Sequence, residues 1–514
     1  MSLNQSMNIS VGSMKNNQYA LTVVSQNIAN LHTEGYYRQK VNFVTNEYTT
    51  NCQNVLSTIR GMNGASISSL TDYVDDTAFK NLLDSNSDAN YYNTLADALG
   101  ELEAVADDLG DSGLNSLLND FFKASAQLEQ FPTDRTIRQE YILAAQNVCE
   151  KFNDISAKYD TIQENKFQTL TGDITRVNAL LEDLAEANVI HAKHNQSPST
   201  QADIDNIIQE LSKYLDIRTD KNGNGTVNLY IGNIPAVQGG EVEFKLNAIY
   251  NQADPDTPLK LSLVSVDKPD YAISNGVNDS IKSGSIKSYV DFLNNTENKP
   301  FANVSEMKKA LDSAANAFAT ELNKIQTQAD GTTFPAYIVT QADGSLALST
   351  DNIEEKKMFI TSDNSGTINA SNIKINEEFF QDPFLVSAAR IDTTKLEAGE
   401  DWTKAIGNSD NAVLITALQN KNICSYNGGT NNCTLSQFLI NNASKNGTDL
   451  AGIQGKADTA NDIAEMEAAN YAGIVGVNLD EELSDMIRYQ RAFEASAKVF
   501  STVNDLMSTI LGMI

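Results

Sequence analysis

The longest unbroken pattern of apolar positions lies in residues 477–514. Leu479, Leu483, Met486, Phe493, Ala497, Phe500, Met507 and Leu511 follow steps of four and three, and only Gln490 and Asn504 interrupt the stripe. Ile487, Val499, Val503, Leu506 and Ile510 widen its flanks. A 3.5-residue period held this long predicts a helix with a coiled-coil seam rather than an ordinary core helix. Asn478 is the predicted cap, with Glu481 placed for a capping box, and Asp480, Glu481 and Glu482 load the first turn with negative charge. Gly512 is the predicted stop. At the rise of an α-helix the element is roughly 50 Å long.

The other end of the chain repeats the spacing. Leu3, Met7, Ser10, Met14, Asn17, Leu21, Val24, Ile28 and Leu31 place seven large apolar residues in nine positions. Two such stripes predict that the chain ends meet; the alternative is two unrelated surface helices on a core. Seven stripe residues contribute roughly 10–20 kcal/mol of gross burial. Ordering the backbone costs roughly 1–2 kcal/mol per residue, and hydrogen bonds recover only part of that. A lone pair of these helices is therefore marginal. It is expected to order fully only when neighbouring copies cover its remaining surface.

Between the ends, helical and strand patterns alternate in blocks. Residues 65–90 read as partly helical. A clear helix follows with Tyr92, Leu95, Leu99, Leu102, Ala106 and Leu109 on one face, and another with Leu114, Leu117, Phe121, Phe122 and Leu128 that Pro132 stops. A very long helical pattern runs from about Arg135 to Ile190, with Gly172 a candidate break, and a shorter one covers roughly 201–215. The pattern changes at Asp220. Val227, Leu229 and Ile231, then Val242, Phe244 and Leu246, then Leu259, Leu261 and Leu263 alternate as strands. Six of the nine prolines fall between residues 235 and 335. Helix returns at 304–326, a hairpin is expected at Asp343-Gly344, and short strands continue to about Ile375. Helices then cover about 408–421 and 435–470. The predicted fold class is α+β, mainly α, and nested: a terminal coiled-coil domain from 1–45 with 471–514, a helical domain from 46–218 with 304–328 and 403–470, and a β-rich outer domain from 219–303 with 329–402.

Composition narrows the function. A net charge of −30 excludes nucleic acid as a natural partner. No run has the apolar length needed to span a membrane, and the N-terminal residues lack the pattern of a cleaved signal peptide. The expectation is a chain that stays in the cytosol or leaves by a route without a cleaved signal. The four cysteines, Cys52, Cys149, Cys424 and Cys433, make no disulfide scaffold, although Cys424 and Cys433 flank a Gly/Asn-rich loop that a local disulfide could close.

No catalytic or metal-binding set emerges. Asp220, Asn222, Asn224 and Gly225 match the first half of a calcium loop, but its twelfth position is Ile231 rather than a bidentate Glu; a turn entering a strand is the better reading. His191 and His194 stand three apart at a helix end, and with His32 they are the only histidines. No nearby residues complete a zinc set, so solvent-facing or dipole-facing histidines are expected. Phosphate loops and the G-x-S-x-G and H-E-x-x-H patterns are absent. Neither catalytic residues nor cofactors are expected.

After the first helix comes Ala29, Asn30, Thr33, Gly35 and Tyr36, in the frame A-N-x-x-T-x-G-Y. This resembles the motif that ends the N-terminal helix in axial proteins of the bacterial flagellum. It departs at His32 and Glu34, where asparagine and proline are common. Asn478-Leu479-Asp480-Glu481-Glu482, Arg488-Tyr489-Gln490-Arg491-Ala492-Phe493 and Ala497-Lys498 resemble the terminal pattern of the same superfamily. The helical block through DFFKASAQLEQFPTDRTIRQEYILAAQNVCEKFN is similar to the hook–filament junction members and absent from hook and rod subunits. The resemblance implies a structural subunit without enzymatic activity that leaves the cell by type III export, with a chaperone on its C-terminal helix. It further implies a ring of copies at the hook tip between the hook protein and a second junction protein, without membrane or nucleic-acid contact. Asn30, Thr33, Gly35 and Tyr36 would set the turn out of the inner helix. Leu3, Met7, Met14, Leu21, Val24, Ile28, Leu479, Leu483, Met486, Phe493, Phe500, Met507 and Leu511 would form the assembly interface. The rival readings are a hook or rod subunit, or an exported enzyme carried on an axial-protein frame.

Overall fold

Helices take 64% of the chain and strands 15% in the computed structural model, so the fold is α+β and mainly α. The structure describes residues 3–33, 36–50, 59–72, 75–106, 113–193, 198–250, 258–274, 276–294, 301–330, 332–363, 365–392, 401–426, 430 and 432–512. Helix α1 (Leu3–Ala29) leads into an antiparallel ribbon of β1 (Gln39–Thr50) and β2 (Ile59–Asp72). Residues 65–90, read as partly helical, divide into strand up to Asp72 and helix from Asp76. Ile67 and Leu70 pair with Phe43 and Val41 across the ribbon, and helix starts only at Asp76. The partners lie more than twenty residues away in sequence, so no local period reveals the pairing.

Four helices follow: α2 (Asp76–Ala106), α3 (Leu114–Gln130), α4 (Arg135–Lys193) and α5 (Pro198–Tyr214). Gly172 does not break α4, whose 59 residues run through it. A mid-helix glycine costs only about 1 kcal/mol against alanine, and the fully buried Leu170 and Val177 on either side hold the helix to the core. Aromatic rings fill the centre of the body. Phe121, Tyr141, Phe152, Phe318 and Phe359 form a chain of contacts with several centroid separations of 5.2 Å.

Strands β3 (Ile217–Lys221), β4 (Val227–Ile231), β5 (Ile234–Gln238) and β6 (Glu241–Val242) form one antiparallel sheet. Strands β7 (Phe244–Ile249), β8 (Lys260–Ser265) and β9 (Ala272–Ile273) form a second. Both lie on α4, and asparagines projecting from that helix satisfy their backbones. Asn188 accepts from Val227 N and donates to Val227 O and Gly239 O, and Asn178 makes the same two-way exchange with Leu246. The expected outer strands 227–263 thus bury Val227, Leu229, Ile231, Leu246, Leu261 and Leu263 in the same apolar core as α4.

The short α6 (Val277–Ser280) packs on β8, and α7 (Ser285–Leu293) returns to pack on α2 and α4. Gly284, at φ +92, makes that return possible; a Cβ there would fall 2.3 Å from Tyr214 O. Helix α8 (Val304–Thr327) precedes the three-stranded sheet of β10 (Thr333–Thr340), β11 (Leu346–Ser349) and β14 (Ala389–Asp392). The β10–β11 hairpin turns at Gly344, φ +82. Between them lie the pair β12 (Phe359–Thr361) and β13 (Ile373–Ile375) and the short α9 (Glu378–Gln381). Arg138, buried at the α3–α4 corner without a carboxylate bound to it, donates instead to the carbonyls of Pro132 and Val386. Burial pushes its guanidinium down to about 10.

After α10 (Asp410–Ala417), two long helices finish the chain: α11 (Leu435–Val475) and α12 (Leu479–Leu511). Helix α11 begins with a capping box of Thr434 and Gln437. It runs antiparallel to α2: Phe79 meets Tyr471 at 5.3 Å, Asn93 and Asn461 exchange amide hydrogen bonds, and Lys456 sits over Tyr92. This two-helix arm joins the helical body to the paired α1 and α12. Among the described residues no helix is long and apolar enough to cross a membrane.

Candidate functional site

The site is the layer where both chain ends meet. Helix α1 lies along α12, and Ala20, Val23, Val24, Val41 and Tyr489 form a small apolar cluster of their own. The seam is not quite the one the sequence predicts. On α12 the buried positions are Glu482, Tyr489 and Val503, with Met486, Phe493, Ser496, Phe500 and Met507 half-buried. These positions step by four and three, so the period is as expected. The serine of that row meets α1 directly: Ser496 and Ser13 hydroxyls lie 2.8 Å apart. Met486, Phe493, Phe500 and Met507 belong to both stripes. Leu479, Leu483 and Leu511 do not: they are 41%, 43% and 69% exposed. With Ile487, Val499, Leu506 and Ile510, each about half exposed, they leave apolar side chains open on the flanks of the seam and at its two ends. On α1, Val24 is buried while Leu3, Met7, Met14, Leu21 and Ile28 are half-buried.

The motif after α1 is organised by a residue that the sequence stripe passes over. Asn27 is 1% exposed and fully satisfied: it donates to Gln39 O and Glu482 Oε2 and accepts from Gln39 N and the Tyr36 hydroxyl, all at 2.9–3.1 Å. Asn30 ends the helix, its side chain donating to Gln26 O and accepting from Thr33 Oγ1. Thr33 O accepts from Tyr36 N at 3.2 Å. Asn30, Thr33 and Tyr36 are thus brought together in one turn; Gly35 lies outside the described residues.

Arg38 fastens this turn to α12. Its Nε donates to Glu482 Oε1 at 2.6 Å, its Nη1 pairs with Glu481, and its backbone N donates to Val475 O at 2.8 Å. The expected capping box therefore does not form. Asn478 caps by accepting from Asp480 N, while Glu481 turns to Arg38. Glu482, whose negative charge the sequence assigns to the helix dipole, is instead a buried anchor held by Arg38 and Asn27. A polar cavity of about 330 Å³ opens beside it, lined by Arg38, Lys40 and Arg488 against Glu481, Glu482 and Asp485. Its charges balance, so it presents no bias toward a charged ligand.

The layer is hinged to the body at Tyr37. Its ring stands edge-on to Tyr471 at 6.2 Å, and the two hydroxyls lie 3.2 Å apart. The hydroxyl also faces the Asp205 carboxyl of α5, which accepts from Gln201. Burial pushes Asp205 up to about 6 and Tyr37 far above its ordinary range. Sequence periodicity missed Asn27, Arg38, Tyr37, Asp205, Tyr471 and Glu482. Only Asn27 left a signal, as a polar residue set against Val24 and Ile28.

The other candidates carry no chemistry. Asn222, Asn224 and Thr226 spend their side chains on one another in a turn that Gly225 closes at φ +84. His191 does not face solvent as expected; it is buried, with Nδ1 2.7 Å from Thr200 Oγ1. His194 and Cys52 lie outside the described residues. Among the described residues no three His, Cys, Asp or Glu side chains are grouped to hold a metal.

Comparisons with known proteins fit this geometry. Residues 99–333 match the flagellar hook-associated protein FlgK helical domain. Residues 470–513 match the C-terminal model of flagellar basal body rod FlgEFG proteins. The flagellar hook-associated protein 1 of Bacillus subtilis is 25% identical over 96% of this chain and 95% of its own length. That of Salmonella typhimurium is 22% identical over 96% and 97%. The flagellar hook junction protein FlgK from Burkholderia pseudomallei shares the fold, with a TM-score of 0.56 and 12% identity over 76% of this chain and 99% of that one. The terminal match is to a model named for rod proteins, and the match over the helical block is to one named for the hook-associated protein FlgK. With both terminal motifs in order, the chain is similar over nearly its whole length to flagellar hook-associated protein 1.

Proposed function

We propose that this chain is a structural subunit of the flagellum that forms the junction between hook and filament and performs no catalysis. The observation that carries the reading is the apolar surface α12 keeps open beside its seam with α1, with Leu483, Ile487, Val499, Leu506 and Ile510 between 43% and 51% exposed. A helix that keeps this much apolar surface open along its length buries it against something else. Neighbouring copies arranged as a ring are the covering surface proposed here, with Leu3, Met7 and the other stripe residues of α1 contributing at its edges.

In this reading residues 1–45 and 471–514 form the inner layer, and the arm of α2 and α11 carries the body outward. The strand-bearing segments 219–303 and 329–402 are assigned to the outer side. The hook protein would meet one side of the ring and the second junction protein the other. Export would proceed through the type III channel, with a chaperone holding the C-terminal helix before assembly. The apolar character of α12 supports that last point, since a helix with this much open apolar surface needs cover before it is built in.

Electron microscopy of flagella from a strain lacking this gene tests the reading. Hooks without filaments, with filament subunits lost to the medium, are expected. Intact filaments would remove the junction role and return the hook, rod and exported-enzyme alternatives.

A further inference from the structure

The segment leading into α11 brings two thiols face to face. Cys424 and Cys433 form an isolated antiparallel pair and exchange both backbone hydrogen bonds, at 3.2 and 3.3 Å. Cys433 Sγ donates to Cys424 O at 3.5 Å. Just inside the pair, Asn432 holds the two sides together, donating to Tyr426 O at 2.8 Å and accepting from Tyr426 N at 2.9 Å. Opposed residues of such a hydrogen-bonded pair stand about 5.5 Å apart at Cα, inside the window that disulfide geometry allows. Both side chains are buried free thiols. Thr434, the next residue, caps α11.

We propose that Cys424 and Cys433 are an oxidisable dithiol that closes to an intrachain disulfide, with a small-molecule disulfide such as glutathione disulfide as the oxidant, and that the bond pins the start of α11 to the body. The inference stands on this pair and not on where the chain works. One cysteine thiolate attacks glutathione disulfide, breaking its S–S bond and releasing one glutathione thiolate. The second cysteine thiolate then displaces the other glutathione from the mixed disulfide. The pair loses two electrons, glutathione disulfide is reduced to two thiols, and the two cysteine protons pass through solvent to the released glutathiones. Burial, and for Cys424 the neighbouring Cys433, raises both thiols, Cys424 up to about 12. The thiolate is therefore scarce at neutral pH, and the exchange is run at alkaline pH.

The test uses the full-length chain, reduced, desalted and incubated with glutathione disulfide, then alkylated under denaturing conditions and mapped by mass spectrometry. The expected result is a loss of two hydrogens per chain, with two of the four thiols withdrawn from alkylation and the cross-link found between Cys424 and Cys433. Four alkylated thiols, a lasting glutathione adduct on either residue, or a bridge to Cys52 or Cys149 would each overturn it. In Cys433→Ala, Cys424 is expected to stay a thiol or carry one glutathione, and an unchanged loss of two hydrogens would also defeat the proposal.

Discussion

Phe318 in the helical body and Tyr489 in the terminal layer are both buried aromatic side chains in long-helix settings, yet their surroundings differ. Phe318 touches Phe121, Phe152 and Phe359 and belongs to a core that runs through α2–α5, α7, α8 and the sheets. Tyr489 has small neighbours, Ala20, Val23, Val24 and Val41, with Phe43 tilted at 6.2 Å and the Arg488 guanidinium over its ring. Where the body relies on apolar volume, the terminal layer relies on satisfied polar groups: Asn27, Glu482 and Arg38 at one end, Ser13 and Ser496 further along. Such contacts specify which face of α12 meets α1 but supply little net stability, because the groups were solvated before folding. The body can stand alone. The layer is set in register and left with apolar surface to spare.

The largest expected effect is in the body. Phe318→Ala removes a fully packed ring and should cost about 3–5 kcal/mol of global stability. Calorimetry checks it, and a drop in melting temperature confined to the terminal helices would contradict the single-core picture. Next is Arg38→Ala, which removes the ion pair of the buried Glu482 and leaves the Asn27 amide donating to it. Breaking a buried pair this way costs about 3 kcal/mol or more. The loss should be local: faster amide exchange in α1 and α12 with the melting of the body unchanged. Equal exchange in both chains would mean that Arg38 does not fasten the layer.

The hinge offers a gentler test with a pH sign. Asp205 is raised to about 6 from 3.8 by burial, with Tyr37, Gln201, Lys221 and Asp76 around it. The folded chain therefore keeps a proton that the unfolded chain has already lost. This contribution to stability is complete below about pH 4 and falls away as pH rises through about 6. Its full size is of the order of 3 kcal/mol. Asp205→Asn should flatten that slope relative to the parent between about pH 4 and 7. Parallel melting curves across the range would show that the carboxyl is not the titrating group.

The period of the terminal stripes was legible in the residues, and so were the long α4 and the alternating strands β4 and β8. Which side of α12 faces inward was not. Glu482 and Ser496 look like surface positions, and Leu479 and Leu483 look like core, because hydropathy counts a charge as exposed until a partner such as Arg38 appears from 444 residues away. Likewise Ile67 and Leu70 pass for helix until β1 pairs with them. The terminal motif could be read letter by letter, but Asn27, which holds its turn, lies outside it.

The smallest expected effect on the isolated chain sharpens the comparison most. Leu483 is 43% exposed on the flank of the seam, so Leu483→Asp should change monomer stability by no more than about 0.5 kcal/mol. The added charge sits near the positive end of α12, where a carboxylate is tolerated. In an assembly the same carboxylate would be driven into an apolar contact and left unpaired, which costs several times more. The variant should thus be exported and folded as well as the parent while failing to support filaments in a complementation assay. Normal motility would mean that this flank is not covered by neighbours. A destabilised monomer would mean that Leu483 already belongs to the seam with α1, and the split between a polar-specified seam and its open apolar flanks would fall.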